Sequence, residues 1–301
     1  MSPERITMEA GRQRWRHGPI DLIIQAEGDA EVIEAAHARA WAEFQGLLAT
    51  LVQELPLLRQ PVTHGAINPC RGGVARLMWQ ACEPLARPGE AGFITPMAAV
   101  AGAVAQQLLR HYQLPGVARV AINNGGDIAL HLTPGETWRL GVVSDVDSAW
   151  QAVQSGLVIR PDARMALRHD GPVRGVATSG WSGRSLSRGI ADSVTVLAAT
   201  ASRADAAATL IANHVDLDHP GIVRLPANQV RDDSDLGERL VTRQVPRLSL
   251  GEITTALGRG LAYAQALVDQ GLIHAALIAC QQQFVACGHQ ACLSFSSEAI
   301  T

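Results

Sequence analysis

An α+β fold, with mostly antiparallel sheet packed by long helices, is what this sequence predicts, and three observations predict it. Ala- and Leu-rich stretches of helical length occupy residues 31–55, 203–214 and 249–271. Short β-type runs are joined by turn-forming clusters such as Asn123-Asn124-Gly125-Gly126-Asp127 and Thr133-Pro134-Gly135-Glu136, which suit hairpins. Of 301 residues, 47% are hydrophobic and only 18% charged, so a large core is supplied and disorder is disfavoured. No linker of biased composition and no fixed-period repeat interrupts the chain. One unit over residues 1–301, or two intertwined subdomains, is therefore expected.

Element by element, Ile20-Asp21-Leu22-Ile23-Ile24 reads as the first strand, followed by the long helix, which Pro56 and Pro61 close. A second helix over 71–82 halts before Pro84. For the third, Thr95 is the expected N-cap, Pro96 the first helical residue, and Met97, Val100, Ala101, Val104 and Leu108 the apolar stripe. Its centre, 98–105, has almost no side-chain bulk, which lets a backbone or a ligand approach closely. Strands are expected at 117–122 and 128–132 around the glycine turn, then at 138–143, 174–178 and 193–198. The helix over 203–214 has Ser202 and Asp205 at capping-box spacing. Two short strands, 222–225 and 240–244, precede a helix that Ser249 and Glu252 open as a capping box. Residues 275–278 form the last expected strand.

Charge narrows the function. Lys and Arg total 25 against 28 Asp and Glu, a net charge of -3, so no global basic field awaits a phosphate backbone and nucleic acid is not an expected partner. Residues 1–17 are mixed in charge, without an apolar core of signal-peptide length, and no apolar run reaches the roughly 18 residues of a membrane span. Five cysteines, an odd number, make no disulfide framework. The expectation is a cytoplasmic protein with reduced thiols and no membrane partner.

Three segments carry candidate chemistry. In Asn123-Asn124-Gly125-Gly126-Asp127, paired glycines after a strand expose backbone N–H groups to a phosphate or flat ring, although Asn-Gly equally marks a plain hairpin turn. In Ala177-Thr178-Ser179-Gly180-Trp181-Ser182-Gly183-Arg184-Ser185, hydroxyls, exposed amides and one planar cation could hold phosphate, or make a solvated loop. A serine nucleophile is not supported, because the loop is not G-x-S-x-G and no His/Asp partner is evident. Asp205 and Thr209, four apart on one helix, place a carboxylate and a hydroxyl on one face. Both are hard donors suited to magnesium, unless Asp205 closes the capping box and Thr209 bonds back to the preceding turn. Cys280, Cys287, His289 and Cys292 near the C-terminus could hold zinc, but lack the C-x-x-C spacing.

Taken in order, these pieces resemble the ApbE family, the magnesium-dependent FAD:protein FMN transferases, over about residues 94–213. Asn123 to Asp127 matches N-x-G-G-D, Ala177-Thr178-Ser179-Gly180 matches A-T-S-G, and Val194-Thr195-Val196 with Ala204-Asp205-Ala206-Ala207-Ala208-Thr209 resembles V-T-V followed by A-D-A-L-A-T. The resemblance implies a T-fold-like ApbE architecture, with magnesium held by Asp205, Thr209 and the Ala101 carbonyl. It also implies FAD or a related nucleotide bound by Asn123, Asn124, Gly125, Gly126, Asp127, Thr178, Ser179, Gly180, Arg184 and Ser185. Two departures stand out. G-G-I-A-K-G appears as Ala98-Ala99-Val100-Ala101-Gly102-Ala103, without its lysine, and H-I-I-D-P-x-T-G is reduced to Arg188-Gly189-Ile190-Ala191-Asp192. The compact 183–192 run, with Pro96 to Gly102 and Ser234-Asp235-Leu236-Gly237, is similar to a shorter cytoplasmic ApbE-like branch of unassigned activity. The implied function is a transferase or pyrophosphate hydrolase acting on a flavin-type cofactor, with Asp192 or Arg188 in the catalytic role and an unknown protein acceptor. The alternative is a non-catalytic flavin- or pterin-binding module.

Overall fold

The computed structural model describes residues 2–142, 163–183, 185–288 and 294–295. Arg184, His289, Cys292 and the last residue of the strand expected at 138–143 lie outside them. The strands, in chain order, are β1 (Glu4–Thr7), β2 (Gln13–His17), β3 (Ile20–Gly28), β4 (Val117–Asn124), β5 (Asp127–Leu132), β6 (Thr137–Val142) and β7 (Ala163–Arg168). After them come β8 (Gly175–Ser179), β9 (Ser193–Ala198), β10 (Val223–Pro226), β11 (Leu240–Gln244), β12 (Ala275–Cys280), β13 (Gln283–Gly288) and β14 (Ser294–Phe295). The helices are α1 (Ala30–Leu58), α2 (Gly73–Cys82), α3 (Val100–Leu109), α4 (Ala201–His214), α5 (Ala227–Val230) and α6 (Leu250–Asp269). The chain divides into two compact units, the first of Met1–Glu136, Pro172–Thr178 and Val196–Leu210, the second of Thr137–Gly171, Ser179–Thr195 and Ile211–Thr301.

In the first unit the sheet order is β1-β2-β3-β4-β5-β8, ending on the last half of β9. Every pair from β1 to β8 is antiparallel. Alternation fixes which face is covered: Ile20, Leu22 and Ile24 point inward on β3, and α1 and α3 pack on the sheet. The buried stripe of α1, Ala36, His37, Ala40, Phe44, Leu47 and Leu51, keeps the three- and four-residue spacing of one helix face. Trp15, fully buried, meets His37, Trp41 and Phe44 edge-on or tilted. Burying each such side chain is worth roughly 1.5–3 kcal/mol. His37 Nδ1 and the Tyr112 hydroxyl lie 2.7 Å apart, and burial favours the neutral form of both, lowering the histidine and raising the phenol.

Several expected boundaries move for local reasons. Two strands precede the expected first one; β1 (ERIT) and β2 (QRWRH) span only four and five residues, each with a single large apolar side chain among polar and charged ones. Helix α1 starts at the Asp29 cap, which accepts from the Glu31 and Val32 amides, and runs through Pro56. The proline removes only the bond to the carbonyl of Val52, an exposed residue whose carbonyl water can satisfy. Thr95 provides no capping side-chain bond, and Pro96–Ala99 forms a 3₁₀ turn before α3 begins at Val100. The apolar stretch Glu90–Tyr112 is broken into four helical pieces, and two-thirds of its most apolar window is buried.

In the second unit β6, β7 and β14 make a three-stranded sheet and β10 pairs with β11. There β12 pairs antiparallel with β13, and α6 packs on both. The Ser249–Glu252 capping box opens α6 as expected. Cys280 is buried on β12, and Cys287 is partly buried on β13. Among the described residues no group of three His, Cys, Asp or Glu could hold a metal ion.

Candidate functional site

The glycine turn is a tight hairpin, and its polar side chains are all used. Asn124 pairs with Asp127 across β4 and β5, and Gly125 and Gly126 take φ values of 67° and 113°, a left-handed backbone that favours glycine. Asn123 Oδ1 accepts the Gly126 N–H at 2.8 Å, which closes the turn. Asn124 is buried and donates from Nδ2 to the Ala101 carbonyl at 3.1 Å. Asp127, also buried, accepts the Thr178 N–H at 3.2 Å through Oδ1. The hairpin reading holds: the turn is a scaffold that ties α3 on one side and the end of β8 on the other.

Asp205 is the centre of this network. The expected capping box does not form, because α4 begins two residues earlier than expected, at Ala201. The Thr200 hydroxyl accepts the Arg203 N–H, while Ser202 Oγ donates to Gln106 on α3. Asp205 thus lies inside α4, and its Oδ2 accepts the Gly102 N–H at 2.9 Å. The carboxylate sits on the first turn of α3, a helix whose own N-cap, Ala99, has no side chain to offer. Desolvation pushes the Asp205 carboxyl up to about 7, and the Gly102 and Ala101 amides pull it only partly back.

The close approach expected of the small-residue stretch is present. A Cβ on Gly102 would stand 2.4 Å from the Ala201 carbonyl oxygen, so only glycine lets α3 meet the start of α4 this closely. Thr209, one turn beyond Asp205, is partly exposed, and its hydroxyl makes no hydrogen bond among the described residues. Gly102 and Gln106 were not among the candidates; the run of small residues 98–105 was the only sequence signal for the first, and the second had none.

In the first unit the structure thus brings together Ala101, Asn123, Asn124, Gly125, Gly126, Asp127, Thr178 and Asp205, with Thr209 on the same helix. The remaining candidates belong to the second unit. Gly180 is required there, since a Cβ would lie 2.1 Å from the Asp192 carbonyl oxygen. Ser179 is buried and Ser185 exposed. Asp192, a catalytic candidate, is held as a double acceptor, by Trp181 Nε1 at 3.1 Å and by the Gln281 N–H at 2.5 Å. The Arg188 backbone is clamped by Asn213, which accepts its N–H at 2.9 Å, and by the Thr242 hydroxyl, which donates to its carbonyl.

Two solved structures similar to the chain are a Pseudomonas stutzeri flavinyl transferase ApbE in its apo form and the ApbE protein of Thermotoga maritima. The first is 12% identical with a TM-score of 0.46, covering 97% of this chain and 96% of that one. The second is 12% identical with a TM-score of 0.42, covering 98% and 97%. Among curated relatives, a UPF0280 protein of Methanopyrus kandleri is 35% identical over 164 residues, 53% of this chain and 56% of its own. A UPF0280 protein of Methanothermobacter thermautotrophicus is 40% identical over 130 residues, 43% of this chain and 46% of its own. The chain spans about half the length of the curated relatives it matches. A profile of the family described as AbpE bacteria matches residues 4–289, so the chain belongs to that ApbE-like family.

Proposed function

We propose that the first unit binds a flavin-type nucleotide, FAD or a related phosphorylated cofactor, together with a magnesium ion at Asp205. The observation that supports this reading best is the position of the Asp205 carboxylate. It is drawn out of its own helix to the first turn of α3, next to a glycine turn that exposes backbone and has its polar side chains already fixed. Such a carboxylate, costly to keep charged without a partner, suits a hard cation.

The donor set fits magnesium through Asp205 and the partly exposed hydroxyl of Thr209. The Ala101 carbonyl is a weaker ligand, because it already accepts from Asn124. A bound magnesium would neutralise charge on a pyrophosphate. The residues of the chain do the rest. Gly125 and Gly126 allow the backbone to approach the nucleotide, Asn124 fixes the hairpin on α3, and Asp127 holds the Thr178 amide in place.

A second reading, a binding module without turnover, is favoured by the state of Asp192. Both of its oxygens already accept hydrogen bonds, which commits it to holding the Trp181 indole and the Gln281 amide, and the lysine of the transferase motif is absent. Incubation of the purified chain with FAD and magnesium, following AMP release and FAD fluorescence together, tests both. AMP release lost in Asp205→Ala supports the enzyme, and saturable FAD binding without release supports the module. Absence of both activity and affinity ends the flavin proposal.

A further inference from the structure

A separate cavity lies in the first unit at the other end of β5. It encloses about 550 Å³ and is bounded by α2, the C-terminal half of α3, β5, the residue before β8 and the entry to α4. Asp127 begins β5 and His131 borders the cavity, four residues further on, roughly 13 Å along an extended strand. Arg76, Arg110 and Arg174 line it with His131, Gln106 and Thr200, and the described lining residues include no Asp, Glu, Phe, Tyr or Trp.

The three guanidinium groups come from separate elements. Arg76 is exposed on α2, Arg110 follows the end of α3, and Arg174 is half-buried just before β8. Glu43 reaches Arg110 only at 3.8 Å, because its carboxylate is already bonded to His111 and Gln107. Desolvation lowers the pKa of Arg174, so its charge lies where a counter-anion counts for more than in water.

We propose that this cavity binds a small, non-aromatic organic phosphate of the sugar- or polyol-phosphate class. Arginine forks match phosphate oxygens in pairs, and three of them around one space without a lining acid favour a dianion. The glutamine amides and the Thr200 hydroxyl suit the hydroxyls of a sugar or polyol. No Phe, Tyr or Trp among the lining residues offers the broad ring face on which a nucleobase stacks best. The volume is that of a small-metabolite site.

Calorimetric titration of the full chain at low ionic strength with ribose 5-phosphate, inorganic phosphate, sulfate and ribose tests the assignment. Saturable binding of ribose 5-phosphate is expected, with weaker binding of inorganic phosphate and none of ribose. Arg76→Glu, at an exposed helix position, should weaken it by about tenfold or more, consistent with losing a charge-assisted contact. Arg110→Gln provides a second variant should that one fail to fold. Asp205→Ala should leave ribose 5-phosphate binding unchanged and Arg76→Glu should leave FAD binding unchanged, so this site and the flavin-type site fail separately. Equal affinity for sulfate, phosphate and ribose 5-phosphate marks an adventitious anion site and overturns the metabolite. No saturable binding, or loss of ribose 5-phosphate binding in Asp205→Ala, overturns the site.

Discussion

The carboxylate of Asp205 accepts the backbone N–H of Gly102 at 2.9 Å, across a separation of 103 residues. One contact does two things: it satisfies an amide at the start of α3, and it fixes a partly buried acid inside the first unit. The consequences are open to measurement.

The first concerns pH. The folded-state Asp205 carboxyl titrates at about 7 against 3.8 for an ordinary aspartate, so the folded chain holds this proton more tightly than the unfolded chain. Its stabilising contribution is full below the ordinary value and is lost as pH rises through the folded one. Asp205→Asn should therefore be more stable than the parent at about pH 8 and gain little near pH 4, as read from urea midpoints. Magnesium should raise the parent's midpoint at the higher pH and leave the variant's unmoved.

Gly102→Ala should cost about 1–3 kcal/mol or more, since the new methyl meets backbone at 2.4 Å and no flexible side chain can give way. Chemical denaturation checks the size of the loss. A cost near zero would show that α3 and α4 separate easily, which would weaken the case for a shaped site.

Replacing Asn124 by Ala removes the donor to the Ala101 carbonyl. A loss of about 1 kcal/mol in stability is expected, together with weaker FAD binding if the turn contacts the nucleotide. Full retention of FAD affinity would separate the hairpin from the ligand.

Asp192→Ala should destabilise by about 1–3 kcal/mol, because the Trp181 indole N–H and the Gln281 amide lose their shared acceptor. Any AMP release by the parent should survive in the folded fraction. Unchanged stability with turnover abolished would instead make this residue catalytic.

Cys280 is buried and its thiol is pushed up to about 12, first by desolvation and then by the Asp192 charge. It should resist a thiol reagent in the native chain and react at once in denaturant. Mass spectrometry of peptides from the two conditions distinguishes it from the partly exposed Cys287.

Much of the fold was legible because local rules governed it. The Asn-Gly-Gly turn required positive φ, Ser249 and Glu252 satisfied each other's ends, and strand β9 runs over the six residues its apolar run marked. Where local rules misled, a tertiary partner had won. Ser202 and Asp205 have capping-box spacing, yet Gln106 draws off the serine and Gly102 the aspartate, and Thr200 takes the capping role. Strands β1 and β2 were invisible because each is short and charged, and they exist through pairing onto β3.

The sequence by itself determined the fold class, the glycine turn and the acid-plus-hydroxyl pair on one helix, since periodicity and backbone sterics act over a few residues. Only the tertiary structure decided which partner each of those polar groups meets. Hydrogen bonds spanning tens to a hundred residues depend on how strands register and helices pack, and no local pattern records them. The same holds for Arg76, Arg110 and Arg174, ordinary surface charges in the sequence that packing gathers around one cavity.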